Sequence, residues 1–443
     1  MDSSQSTEWR DIKLGDAMAA IIDYRGKTPR KTLQGIPLIT AKIVKAGRIL
    51  EATEFIAAEN YSDWMTRGMP EIGDVVLTSE APLGEVGRLS TTNVALAQRI
   101  FTLRARPDII DQTFLYYLLQ SRDVQQRIQE RASGTTVMGI RSVELKEVTL
   151  RVPPLFVQRQ IVEVLEPLTQ RIELNIKLSR ILEATLGALF RSWFVDFDPV
   201  QAKLEGRTPE GLTRDIEEIF PSELENDVPK GWRVTTLSEL VSFTKGRSYT
   251  SSELAESDVA LVTLKSFYRG GGYRPDGTKA FTGDFKREQV VRPGELIVAC
   301  TDVTQMADVV GRPAIVEEAH EFKTLVASLD TIILRPRDVA VSPDFLYLRL
   351  RQSDYTDWIL GYANGTTVLH LDLRGLTAFS FALPPLDDLQ RLMAILEPLQ
   401  NRIRLNNSQN HRLKSICDGL LTPLSSGEFS LPSVEGMSEV TLR

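Results

Sequence analysis

Two Pro-Pro pairs are the first places to look for chemistry, Val152-Pro153-Pro154-Leu155 and Leu383-Pro384-Pro385-Leu386. An adenine methyltransferase builds its catalytic turn from Asp, Asn or Ser before Pro-Pro and an aromatic residue after it. The polar group receives the amine and the ring stacks on the base. Both pairs here have Val or Leu before them and Leu after them, so neither function is supplied. No glycine loop for S-adenosylmethionine accompanies them. Pro107-Asp108 with Glu144-Leu145-Lys146 outlines the carboxylates of a Mg-dependent nuclease, which hold the metal that activates water. The spacing is long, and the later counterpart of the triplet reads Gly375-Leu376-Thr377. A phosphate-binding GxxxxGK[ST] loop, an HExxH helix and zinc-spaced Cys or His are all missing. With two cysteines and three histidines in 443 residues, no catalytic and no metal-binding residue is assigned.

Binding chemistry is better represented. The net charge is −7, yet residues 25–48 carry seven Lys or Arg and no acid. Residues 265–287 carry six bases among Phe267, Tyr268 and Tyr273, against Asp276 and Asp284. Residues 205–227, by contrast, hold eight acids and only Arg207 and Arg214. Local basic patches, not the total, decide whether a polyanion is held. Lysine and arginine would grip phosphates, and polar side chains would read base edges. The candidates in the first half are Lys42, Lys45, Arg48, Ser79, Glu80, Thr135, Thr136 and Arg141. In the second half they are Lys265, Ser266, Tyr268, Arg269, Asp302, Thr366, Thr367 and Arg374. Lys42 and Lys265 hold equivalent positions and are assigned to phosphates. A turn-stabilising role competes with base contact for each Thr pair.

That equivalence comes from a duplication. GTTVMGIRSVELKEVTLRVPPL, residues 134–155, matches GTTVLHLDLRGLTAFSFALPPL, residues 365–386, at an offset of 231. The same offset relates FLYYLL to FLYLRL and EPLTQRI to EPLQNRI, while WRDIKLGD matches WRVTTLSE at 223. Each copy reads as a Trp-led turn, short strands rich in Val, Ile, Thr and Leu, a short helix, the Gly-Thr-Thr segment and a final strand. The helix, 107–130 in the first copy, is expected to start at an aspartate near a proline.

After each Pro-Pro comes the most regular signal in the chain. Ile161, Leu165, Leu168, Ile172, Asn175, Ser179, Leu182, Leu186 and Leu189 step by four and three. Leu392, Leu396, Leu399, Ile403, Asn406, Asn410, Leu413, Cys417 and Leu420 repeat the pattern. This is a coiled-coil seam, and two copies in register predict helices that pair with each other. Antiparallel pairing brings the midpoints Asn175 and Asn406 together, where the two amides are expected to satisfy one another. Pro167 and Pro398 should kink the helices or mark off a short first segment. Val162, Val164, Leu174, Ile176, Leu178 and Ile181 widen the first stripe beyond a two-helix seam, as a larger bundle requires.

The expected fold is therefore mixed α/β: two similar globules separated by two long antiparallel helices, related by a pseudo-two-fold axis. Two similar but non-identical reading heads suit a bipartite, asymmetric target, and duplex DNA is the candidate. Half-sites about ten base pairs apart from centre to centre are expected. The combination of QRQIVEVLEPL, LFRSWFVDFDPV, VPKGWRVTTL and LKSICDGLLTPL with the repeated frame resembles the specificity subunit of type I restriction–modification systems. The resemblance implies target-recognition domains at 1–153 and 231–384. It places helical spacers at 154–190 and 385–424, a linker at 191–230 and a tail at 425–443. It implies double-stranded DNA, two methyltransferase subunits and restriction translocase–nuclease subunits as partners. S-adenosylmethionine, ATP and Mg are then expected on those partners and no cofactor on this chain. The alternatives are a stand-alone DNA-binding regulator and, behind it, the Mg-dependent nuclease. The polar start and the lack of an apolar run near the roughly 18 residues of a membrane span imply a cytoplasmic protein with no membrane partner.

Overall fold

The computed structural model describes residues 9–426 apart from 136, 305, 319 and 320, with side chains to residue 421. Two compact units emerge, unit 1 from Met1–Glu173 with Asn410–Arg443, and unit 2 from Leu174–Gln409. The helical segments 154–190 and 385–424 are thus each shared between the units.

In unit 1 the main sheet is antiparallel, ordered Met18–Asp23, Ile100–Ala105, Val75–Ser79, Leu83–Arg88. All five residues of Val75–Ser79 are buried, as befits a nearly continuous apolar strand covered on both faces. A smaller sheet runs Ala95–Leu96, Ile36–Ile39, Phe55–Ile56, Lys31–Thr32. Unit 2 repeats this plan. Its main sheet runs Val241–Lys245, Thr331–Pro336, Leu296–Ala299, Pro313–Ile315, and its smaller one Lys279–Ala280, Val259–Val262, Thr324–Ala327, Val290–Val291.

The fixed ends of the repeated frame pair with each other. Arg10–Lys13 lies antiparallel to Thr149–Val152, and Arg233–Thr236 to Ser380–Leu383. Each globule is closed by its first and last strands, and the prolines that follow have no N–H to extend the ladder. The helix expected over 107–130 is two helices, Gln112–Leu118 and Arg122–Glu130. Asp111, not Asp108, caps the first by accepting from the N–H groups of Thr113 and Phe114. Ser121 caps the second, and that cap is what divides the run. In unit 2 Ser342 caps Pro343–Arg349, with Asp344 in its first turn.

The central helix is Leu155–Phe194 and the C-terminal helix Leu386–Ser426. Pro167 and Pro398 lie inside them, so neither proline marks off a separate first segment. The helices pair antiparallel within each unit. Ile161 and Leu165 share the unit 1 core with Cys417 and Leu421. Leu186 shares the unit 2 core with Leu392, Leu396 and Ile403, flanked by Leu182, Leu189 and Leu399. Leu168 and Leu420 pack at the edge of the unit 1 core, and Ile172 and Leu413 are half-buried. Leu421 carries the buried position one residue past the expected Leu420. No helix among the described residues is long and apolar enough to cross a membrane.

Asn175 and Asn406 are buried side by side in unit 2, but not as a reciprocal pair. The Asn406 amide donates to Ser179 Oγ at 3.1 Å and to the backbone carbonyl of Asn175 at 3.5 Å. The Asn175 amide donates to Gln409 Oε1 at 3.4 Å. Small Ser179, one turn on, offers the nearer acceptor, so the expected amide–amide contact is replaced.

Candidate nucleic-acid interface

The Gly-Thr-Thr segment is a loop that only glycine can open. Gly134 has φ +139° and Gly365 φ +132°, and an added Cβ would lie 2.1 Å from the carbonyl oxygen of Val137 or Val368 respectively. Thr135, Thr366 and Thr367 are exposed on these loops, while Thr136 lies outside the described residues. Each loop returns to the end of a core strand. Ile140 N–H donates to the Ser79 carbonyl at 2.9 Å, and Leu371 N–H to the Cys300 carbonyl at 2.8 Å. One frame therefore presents two exposed loops with the same Gly-Thr-Thr-Val opening, and the contents differ from Met138 and Leu369 onward.

The basic segments are each pinned to their globule, by side chains in unit 1 and by backbone carbonyls in unit 2. In unit 1 the hairpin of Val44–Lys45 and Arg48–Ile49 is fixed by Ala46 N–H on Glu85 at 2.7 Å. Tyr116 OH donates to the Gly47 carbonyl at 2.7 Å. In unit 2 Gly270 N–H donates to the Asp308 carbonyl and Gly272 N–H to that of Pro313. Lys42 and Lys265 occupy the middle of equivalent three-residue 3₁₀ turns, Ala41–Ile43 and Leu264–Ser266, and both are exposed. Lys42 reaches Glu54 at 3.4 Å. Glu54 itself is held below the ordinary glutamate range, foremost by its hydrogen bond to Lys31. Lys45, Tyr268 and Arg269 are exposed and Arg48 is half-buried. Arg269 is 3.5 Å from Asp308.

Three candidates are buried. Ser79 is buried at the end of its strand, and its hydroxyl has no partner among the described residues. Ser266 is fully buried, its hydroxyl accepting from Thr263 N–H. Asp302 is buried and accepts from Val309 N–H at 2.7 Å and from Thr304 N–H and Oγ1, both at 2.8 Å. Burial opposes its charge, but these bonds outweigh it and hold the carboxyl below its ordinary value. Polarity alone does not foretell this burial, because Ser266 and Asp302, which close tight turns, resemble residues reaching outward. Arg141 and Arg374 are exposed beside short helices, with Glu144 at 3.7 Å and Asp372 at 2.5 Å respectively.

Glu80 is the candidate that most clearly gathers partners. Its carboxylate lies 3.0 Å from Arg99 Nε and 3.8 Å from Arg25, whose Nη2 donates to the Ile140 carbonyl at 3.3 Å. Arg99 escaped the sequence reading because it falls in no basic run. Its signal was the 231 offset, which sets Arg99 opposite Asp330. Among the described residues no cluster of His, Cys, Asp or Glu could hold a metal. Of the nuclease candidates, Asp108 pairs with Arg106 and Glu144 with Arg131 and Arg141.

Comparison with known proteins decides the family. The family model described as type I restriction modification DNA specificity domain matches twice, over residues 7–184 and 229–415. The chain belongs to the type I restriction–modification DNA specificity family. It recognises DNA sequence, and each match contains one strand-closed globule and the start of its helix. A similar relative is the type I restriction enzyme HindI specificity subunit of Haemophilus influenzae, 24% identical over 76% of this chain and 82% of the relative. The MjaIX specificity subunit of Methanocaldococcus jannaschii is also 24% identical, over 81% of this chain and 78% of its own. A crystal structure of the type I restriction–modification S subunit from M. genitalium shares the fold of this specificity chain. Its TM-score is 0.53 at 16% identity, covering 98% of this chain and 99% of that one.

Proposed function

We propose that this specificity chain binds a bipartite, asymmetric DNA site, one half-site per unit, and positions adenine methyltransferase and restriction subunits on it. The carrying observation is that register-equivalent hydrogen bonds hold two exposed loops that share Gly-Thr-Thr-Val and diverge only beyond it, Met138-Gly139 against Leu369-His370. A common frame whose flanking side chains diverge supplies two recognitions of different sequence. Lys42, Lys45, Lys265 and Arg269 serve phosphates, and the Gly-Thr-Thr loops lie over the bases. S-adenosylmethionine, ATP and Mg belong to the partner subunits.

The helices supply a surface for those partners. Leu174 and Ile181 are 55% and 63% exposed, with Leu178 half-buried between them on the same helical face. Leu405 is exposed on the C-terminal helix of the same unit. Apolar residues repeating along a helix outside its seam favour a further helical partner. The test is reconstitution with the adenine methyltransferase of the same system. The complex is expected to methylate adenines at one two-part motif, and the chain alone is expected to transfer no methyl group. Methylation without sequence preference, or turnover by the chain alone, overturns the reading.

A further inference from the structure

The two units place opposite chemistry at one register position, and we propose that this position reads base identity: Arg99 with Glu80 in unit 1, Asp330 with Thr301 in unit 2. The proposal rests on the DNA-recognition reading above and assigns its asymmetry to particular side chains.

The equivalence is set by backbone hydrogen bonds. Ser79 N–H donates to the Arg99 carbonyl at 3.0 Å, and Cys300 N–H to the Asp330 carbonyl at 2.7 Å. The next residue in each strand, Glu80 or Thr301, bridges the Gly-Thr-Thr loop, at Gly139 in unit 1 and His370 in unit 2. Backbone, strand end and loop therefore correspond bond for bond. The side chains do not. Glu80 meets Arg99 at Nε, and the Arg99 side chain is 55% exposed. Thr301 Oγ1 donates to Asp330 Oδ1 at 2.8 Å, and Asp330 is half-buried. Arg25 adds a second guanidinium near Glu80. Its counterpart Arg247 turns instead to Glu253 at 3.2 Å and to the Asp284 carbonyl at 2.7 Å.

Chemistry then separates the two readings. An arginine oriented by a carboxylate at Nε is suited to the O6 and N7 acceptors of guanine in the major groove. A carboxylate on a DNA-facing surface is repelled by phosphates, and a base with an exocyclic amine compensates it, cytosine through N4 or adenine through N6. Thr301 fixes one oxygen of Asp330 and leaves the other to accept. Guanine in one half-site and an amine-bearing base in the other follow.

The experiment enriches randomised duplexes on the full chain in its methyltransferase complex and sequences the bound fraction for wild type, Arg99→Lys and Asp330→Asn. Asp330→Asn is isosteric, and Arg99→Lys keeps the charge while removing the guanidinium fork. Arg99→Lys is expected to relax one base pair of one half-site by about tenfold or more, leaving the other half-site as in wild type. Asp330→Asn is expected to do the converse. The untouched half-site reports a folded complex in each case. A wild-type motif kept by both variants overturns the assignment, whether or not affinity falls. If the wild type enriches no motif, the DNA-recognition reading itself fails.

Discussion

Unit 1 and unit 2 attach their globules to their own helices with the charges exchanged. In unit 1 the globule supplies the cation: Arg88 grips Glu166 of the central helix through two hydrogen bonds, 2.7 and 3.2 Å, and Tyr117 OH adds a third at 2.9 Å. In unit 2 the helix supplies it: Arg404 of the C-terminal helix holds Asp344 at 2.5 and 3.0 Å. Asn407 also donates to Glu317 at 3.0 Å. The seam and the strand ladders stayed alike while the linking charges diverged. A repeated backbone frame tolerates different linking pairs at different positions, since a desolvated pair penalises only its separation. Each link keys a globule to its own helix at its own place, because the 231 offset sets Glu166 against Glu397 and Arg404 against Glu173.

The largest effect should come from breaking one key. Arg88→Glu sets two carboxylates against each other in a half-buried contact, with an expected cost of about 3 kcal/mol. Adding Glu166→Arg should recover more than half of it, because the reversed pair copies the polarity of unit 2. Denaturant unfolding of wild type, both single variants and the double variant closes the cycle. A double variant no better than the worse single one would show that the contact is not a transferable key.

Next in size are the loops, where the units should behave alike. Gly134→Ala and Gly365→Ala each force Cβ onto a carbonyl oxygen 2.1 Å away. Each should cost about 1–3 kcal/mol of local strain and weaken DNA binding, measured by titration of labelled duplex. If only one variant has an effect, the two loops do not share a frame.

Much of this was legible in the sequence, and the reason is physical. Periodicity fixes which helix face is buried, so Ile161, Leu165, Leu186, Leu392, Leu396 and Ile403 could be read directly. Constant offsets between copies located the strands that close each globule. The destination of a polar side chain was not legible, because burial depends on the local turn. Ser266 and Asp302 look like readers but bind their own turns, Ser79 is buried, and Asn406 finds Ser179 before it finds the Asn175 side chain. Arg88, Tyr117 and Glu166 are far apart in the chain and follow no period. Only the fold brings them together.

The midpoint asparagines sharpen the comparison at a smaller scale. The Asn406 amide uses Ser179 Oγ and the Asn175 backbone, both of which survive Asn175→Leu. That substitution should therefore leave the Asn406 amide satisfied and cost about 1 kcal/mol, the half-buried Gln409 losing a donor. Ser179→Ala, which takes away the nearer acceptor of a buried amide, should cost about 1–2 kcal/mol. Thermal unfolding that ranks Asn175→Leu as the worse change would restore the reciprocal pair.

The smallest expected effect is in pH, and the units should respond with opposite sign. Burial disfavours the charge of Glu166, but hydrogen bonds from Arg88 and Tyr117 outweigh it and hold its carboxyl below the ordinary value. Its contribution is present above the unfolded pKa and lost as pH falls through the depressed folded one. Glu317 differs: burial raises its carboxyl, and the bond from Asn407 and the charge of Arg404 only partly oppose this. Its contribution is complete below the unfolded pKa and lost as pH rises through the raised folded one. Glu166→Gln should therefore blunt the acid loss of stability, with its deficit greatest near neutrality. Glu317→Gln should gain on wild type as pH climbs above the ordinary glutamate value. Unfolding midpoints at a series of pH values for the three proteins test this, and parallel profiles for the two variants would show that the reversed contacts do not carry reversed proton linkage.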